Sequence, residues 1–232
     1  MKKTVLFILM LGNLSAFGQE VLFLKDPAID SIVPHWGPNR RHYIHPYIAI
    51  GMAIDGGEQG GRIRQPHFFD ETRFGFRYKR RLNGVFSLGG DLLYNVQNYS
   101  LRQDSLKILP DTLLYKKQRM LFHQLRGAVF IRINYDKRGN RLGNYIDLGA
   151  YGDFNFAHIM YTRIKNADNT LTRAKTSRLK YFNPLGYGLH ARVGFNLFSC
   201  YVQYRLSDFF YPSKHLPELP RLTAGVEFFL KK

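Results

Sequence analysis

Residues 124–134 read QLRGAVFIRIN. Successive side chains of an extended chain point to opposite faces. Leu125, Gly127, Val129, Ile131 and Ile133 therefore share one face, and Gln124, Arg126, Ala128, Phe130, Arg132 and Asn134 share the other. This period of two predicts a strand with one apolar face. The same alternation recurs at Ile44 to Ile54, Phe74 to Tyr78, Phe86 to Val96, Ile146 to Phe156, Leu185 to Phe195, Cys200 to Leu206 and Leu222 to Leu230. The pattern predicts an all-β chain of eight strands with no helix.

The connections alternate in length. Those near 55–67, 99–117, 160–182 and 208–220 are long, and those at 81–84, 136–143 and 196–197 are short. An even number of strands joined in turn by long loops and tight hairpins predicts an eight-stranded antiparallel up-and-down transmembrane β-barrel of the outer-membrane type, with both termini on the periplasmic side. Asn83-Gly84 and Gly139-Asn140 supply the turn chemistry that tight hairpins need.

Periodicity leaves open which face is inside. A soluble, lipocalin-like barrel holding an apolar ligand would turn the apolar face inward; a membrane barrel inverts that arrangement. The polar face carries Arg77, Arg126, Arg132, Arg192 and Arg205 with Asp91, Asp147, Asp153 and Glu227, interleaved with glycines. Glycine makes room inside a narrow barrel, so the polar face is expected inside. Eight strands leave an interior that side chains just fill. The nine charged residues are expected to form a lumen ionic network, because a buried charge without a partner is costly. Tyr78, Phe86, Tyr94, Tyr135, Phe156, Phe195 and Phe228, toward the strand ends, are expected at the water–lipid boundary.

Residues 1–18 contain a basic start at Lys2 and Lys3, an apolar run from Val5 to Leu11, and the small-x-small site Ala16-Phe17-Gly18. This pattern predicts a secretory signal peptide cleaved before Gln19. Residues 19–42, Pro-containing and with the single tryptophan Trp36, are expected to be a periplasmic lead-in to a barrel domain over 43–232. Mean hydropathy is −0.28, too low for a helical membrane bundle. The lone Cys200 excludes a disulfide framework and a Cys-rich metal centre.

Charge then takes on a different meaning. With 34 Lys+Arg against 17 Asp+Glu, the +17 balance by itself suggests nucleic acid. Export removes that partner and, with Lys2 and Lys3, two of the charges. Anionic lipid surfaces replace it. The third long loop holds Arg163, Lys165, Arg173, Lys175, Arg178 and Lys180 against a single Asp168, and these six are expected to contact lipopolysaccharide phosphates.

Candidate chemistry is sparse. His35, His42 and His45 match no standard metal spacing and are expected to be solvated periplasmic histidines. DGGEQGG at 55–61 lacks the helix and the Lys-Ser/Thr of a phosphate loop. His123 and His158 both fall on the apolar phase, with Ser100, Ser105, Ser177 and Asp104 in loops at the same end. No motif fixes their geometry. The expectation is a non-enzymatic protein without cofactor or metal, a lipid- or lipopolysaccharide-modifying enzyme being the alternative.

The end of the chain is the most specific stretch: Val202-Gln203-Tyr204-Arg205-Leu206-Ser207-Asp208, then Leu216-Pro217-Glu218-Leu219-Pro220-Arg221-Leu222-Thr223-Ala224-Gly225-Val226. It resembles the penultimate strand, Leu-Pro loop and last glycine-bearing strand of outer-membrane β-barrel families common in Bacteroidetes, including PorT-type proteins, over roughly residues 40–232. That resemblance implies a structural or accessory role, with type IX secretion as the PorT association. It also implies outer-membrane lipids, lipopolysaccharide and secretion or envelope-complex proteins as partners.

Overall fold

A computed structural model describes residues 35–54, 58–59, 61–64, 69–136, 139–165, 168 and 170–230. The expected signal peptide, residues 19–34 of the lead-in and most of the DGGEQGG segment lie outside them. Nine strands follow in order: β1 (His42–Ala53), β2 (Glu71–Arg81), β3 (Phe86–Leu101), β4 (Lys117–Asn134), β5 (Asn144–Lys165), β6 (Leu171–Ser177), β7 (Leu185–Phe195), β8 (Phe198–Arg205) and β9 (Leu222–Phe229). Eight of them close into an antiparallel ring, in which β1 pairs with both β2 and β9, and β5 joins β4 to β7. Closure removes the free sheet edges that would otherwise need covering.

β6 stands outside the ring and corrects the expectation of a plain loop over 160–182. Its residues Leu171–Ser177 pair with Ile159–Lys165, so beyond its pairing with β7 the strand β5 continues between β4 and β6 as a three-stranded extension. Thr162, Ile164, Thr172 and Thr176, β-branched residues that favour extended backbone, carry the strand onward.

Burial decides the orientation of the faces. Arg77, Arg132 and Asp147 have no solvent exposure, whereas Val129 is 66% and Leu125 48% exposed. A continuous girdle of exposed Ile, Leu, Val and Phe belongs in lipid rather than water. The soluble, inward-apolar alternative is thereby removed.

One irregularity changes a phase. Gln124 pairs with Asn155 but His123 pairs with Ala157, so Phe156 is an extra residue in β5. Such a bulge inverts the alternation beyond it. Asn155 and Thr162 both point inward although their numbers differ by an odd count.

Apolar clusters cap the lumen at each end. At the long-loop end all four loops contribute: Ile63, Leu109, Phe182, and Phe209 with Phe210 and Leu219 pack onto Tyr99, Met120 and Phe122 of the strands. At the short-turn end Leu142 of the β4–β5 turn packs with Tyr47, Leu93, Tyr145 and Phe229. Residues 35–41 fold over that second mouth. Asn39 donates from its side chain to the carbonyl of Gly139 at 2.8 Å, and its own carbonyl accepts from Arg81 at 2.8 Å. The lumen-facing Lys79 donates to the carbonyl of Pro38.

Candidate functional site

Between the two apolar caps lies a belt of charge. β2, β3, β4, β5, β7 and β9 each project at least one charged side chain into it, and the ring register sets their pairing. Arg77 is directly opposite Asp91; Arg126 is opposite Asp153 and Arg132 opposite Asp147. Each arginine reaches its carboxylate through two nitrogens, at 2.8 and 3.0 Å for Arg77, 2.5 and 2.8 Å for Arg126, and 2.7 and 2.8 Å for Arg132. These forked contacts combine charge and direction.

Further contacts join the pairs across the lumen. Arg77 also reaches Glu227 at 2.9 Å, and Arg192 reaches Asp91 at 2.9 Å. Aromatic faces line the other side of the guanidiniums: Arg132 lies 3.5 Å from the Tyr145 ring centroid, Arg126 4.0 Å from Tyr151, and Arg77 4.4 Å from Tyr47. Each of these arginines is thus held between a carboxylate and a ring.

Two features of the belt were not expected. Glu71, before the predicted start of its strand, accepts from Arg73 at 2.6 Å, Gln203 at 2.8 Å, Tyr201 at 2.9 Å and Asn95 at 3.0 Å. Arg205, expected among the lumen charges, sits instead under the outer cap. Its contacts are Glu218 at 2.9 Å and the carbonyls of Ser207 and Leu219.

The histidines separate. His45 is buried in the lumen with its ring 4.9 Å from those of Tyr43 and Phe229, which corrects the expectation of a solvated side chain. His42 bonds the Tyr78 hydroxyl at 2.7 Å and packs beside the exposed Trp36. Among the described residues no group of three His, Cys, Asp or Glu side chains is placed to hold a metal ion.

His123 does lie on the outer face, where its ring bonds the Tyr94 hydroxyl and stacks near Tyr94 and Phe156. His158 does not. The bulge at Phe156 turns it inward, stacked 4.9 Å from Phe182 and edge-on to Phe122. The two imidazoles assigned to one phase by alternation therefore stand on opposite sides of the wall, each in aromatic packing.

The basic residues of the third loop also divide. Arg163 and Lys165 lie on β5, Arg173 and Lys175 on β6, while Arg178 and Lys180 follow β6. Arg163 pairs in register with Arg173 and Tyr161 with Lys175. β4 adds Lys117 opposite Arg163 and Arg119 opposite Tyr161.

The family model for the outer membrane protein beta-barrel domain matches residues 71–211, from the first residue of β2 into the last long loop. The chain belongs to this outer membrane protein family. Its apolar girdle accordingly faces the lipid of the outer membrane, with short turns at the periplasm and long loops outside. Two crystal structures of Ail, the attachment invasion locus protein of Yersinia pestis, are similar at 11% identity. They cover 81% of this chain and 94% and 93% of their own, with TM-scores of 0.31 and 0.29; the first is a complex with the heparin analogue sucrose octasulfate. No curated protein matches. In this outer-membrane barrel the aromatic groups Trp36–His42–Tyr78 and Tyr94–His123–Phe156 occupy the two levels where amphipathic rings meet the headgroups.

Proposed function

We propose that the protein is a closed, non-enzymatic outer-membrane barrel that serves as a structural or accessory component of an envelope complex. The observation that carries this reading is the filled lumen. The cavity bounded by Arg73, Asp91, Arg126, Arg192, Gln203 and Glu227 measures about 10 Å³, room for about one water molecule. Apolar caps lie above and below it. A wall of paired charges rigidifies a barrel without offering a path, so function is assigned to the surfaces. The resemblance of residues 202–226 to PorT-type proteins directs the accessory role toward type IX secretion or envelope assembly, and the N-terminal pattern makes residues 1–18 the export signal.

Planar-bilayer recording tests closure. The reconstituted barrel is expected to give no stepwise conductance, and stable channel currents would overturn the closed reading. Cross-linked purification from native membranes tests the accessory role. Secretion or envelope-assembly proteins are expected to be recovered, and a barrel recovered alone overturns it. His123→Phe is expected to leave the lipid A and phospholipid profiles unchanged; an altered profile returns the enzyme alternative.

A further inference from the structure

Lys117 is directly opposite Arg163 across β4 and β5, and Arg163 is directly opposite Arg173 across β5 and β6. Three cations therefore cross three strands in one row. The row two residues nearer the membrane is Arg119, Tyr161 and Lys175. Residues two apart on a strand share a face, so five cations and one tyrosine gather on the same outer wall, bounding a groove of about 530 Å³.

This arrangement is unfavourable by itself. Like charges directly opposite one another on a sheet destabilise it. Among the described residues no carboxylate compensates them: the ion pairs outside the charge belt are Arg102–Asp104, Lys107–Asp111, Arg205–Glu218 and Arg221–Asp208, and none includes these five cations. The lumen of the same barrel pairs each row-forming arginine with a carboxylate, so the contrast is local to this wall.

Its height identifies the missing anion. On the same face, the next row toward the membrane is Leu121 and Ile159, followed by the His123, Tyr94 and Phe156 aromatic level. Successive rows are separated by about 7 Å along the strand. The cations thus begin one row above the first apolar pair and two rows, about 14 Å along the strand, beyond the aromatic level, on the side where the headgroups of the outer leaflet project from the membrane. The exposed Tyr161 ring, with Lys175 5.8 Å from its centroid, is an amphipathic group suited to that boundary.

We infer that the outer wall of β4, β5 and β6 binds the phosphate groups of an outer-leaflet glycolipid, with Arg163 and Arg173 as forked ligands and Lys117, Arg119 and Lys175 as point charges. Guanidinium forks match phosphate oxygens and ammonium groups add unoriented attraction. The inference rests on the outer-membrane placement and not on the accessory role, so either can fail alone.

The test uses the full chain in nanodiscs of phosphatidylcholine doped with diphosphoryl lipid A, the retained lipid A being counted by mass spectrometry after detergent washing. Arg163→Gln/Arg173→Gln is expected to lose retention at least about tenfold, given two charge-assisted contacts. Arg62→Gln/Lys214→Gln, which removes the same charge from other long loops, is expected to retain lipid A as the unaltered chain does. Equal retention by all three proteins overturns the proposal. So does equal retention of dephosphorylated lipid A. Full displacement by soluble inositol hexakisphosphate would assign the wall to a free anion and overturn the lipid reading. Should the double variant lose its folded band on an unheated gel, Arg173→Gln on β6, outside the ring, carries the test with an expected loss of about threefold, and unchanged retention overturns the proposal.

Discussion

Arg132 on β4 and Asp147 on β5 face each other directly across the sheet and share two hydrogen bonds, with neither side chain open to solvent. Arg192 on β7 lies opposite the same aspartate in register, so Asp147 is the shared anion of three strands. Removing one partner of such a pair leaves an uncompensated charge, which costs about 3–5 kcal/mol, whereas replacing both by apolar groups is often close to neutral. Asp147→Leu is expected to lower the unfolding free energy of the barrel, read from urea melts in detergent micelles, by an amount in that range. Arg132→Leu/Asp147→Leu is expected to recover most of the loss. A single variant as stable as the unaltered chain would show that the pair contributes nothing.

The lumen is filled by volume as well as by charge. Gly194 on β7 is opposite Tyr145 on β5, and a Cβ at position 194 would lie 2.0 Å from the tyrosine ring. Overpacking a close contact costs about 1–3 kcal/mol or more. Gly194→Ala is therefore expected to destabilise the barrel by at least about 1 kcal/mol, and Gly194→Val to prevent the heat-modifiable band from forming. Gly127 provides the comparison: it faces lipid with nothing within 4 Å of a built Cβ, and Gly127→Ala is expected to be neutral. Equal behaviour of the two alanine variants would remove the ring contact as the cause.

Alternation made the ring and its inside-out polarity legible from residues such as Val129 and Arg132, because period two assigns a face wherever a strand is regular. Three things were hidden for physical reasons. The bulge at Phe156 inverts the phase, and Phe156-Ala157-His158 reads as unbroken alternation, so His158 was assigned to the wrong side. Leu109, Phe182, Phe209 and Phe210 lie in aperiodic connections, and no period announces that they meet as a cap. Glu71 precedes the clear alternation of its strand, and only the closed ring brings Arg73, Asn95, Tyr201 and Gln203 around it. Which carboxylate each lumen arginine meets likewise follows from register, which composition does not encode.

Glu218 fastens the last long loop. Its carboxylate accepts from Arg205 at 2.9 Å and from the backbone N–H of Phe209 at 3.0 Å, holding Phe209 and Phe210 down in the cap. Glu218→Ala removes both restraints and leaves Arg205 buried without its anion. The strand ring keeps all its own hydrogen bonds. The expected result is a barrel that still shows heat modifiability but is cleaved by trypsin at the exposed Lys214 several times faster, on the order of the tenfold that about 1.4 kcal/mol of local stability represents. Unchanged cleavage would mean that the loop is held by its apolar contacts alone.

Tyr181 reports on the same cap through its acidity. Its ring lies 4.6 Å from Phe182 and 6.1 Å from Phe210, and its hydroxyl has no hydrogen-bond partner. Burial first, and the nearby charge of Asp111 second, push the phenol up from 10.0 to about 12. Both causes favour the neutral form. The stabilisation is therefore complete below pH 10, where the unfolded tyrosine is also neutral, and is lost as pH rises through about 12. Ultraviolet titration of the chain minus that of Tyr181→Phe isolates this phenol, and its midpoint is expected near 12. In the Glu218→Ala background the cap opens, water reaches the ring, and the midpoint is expected to fall back toward 10. A midpoint already at 10 in the intact chain would show that the cap does not keep water from the Tyr181 hydroxyl.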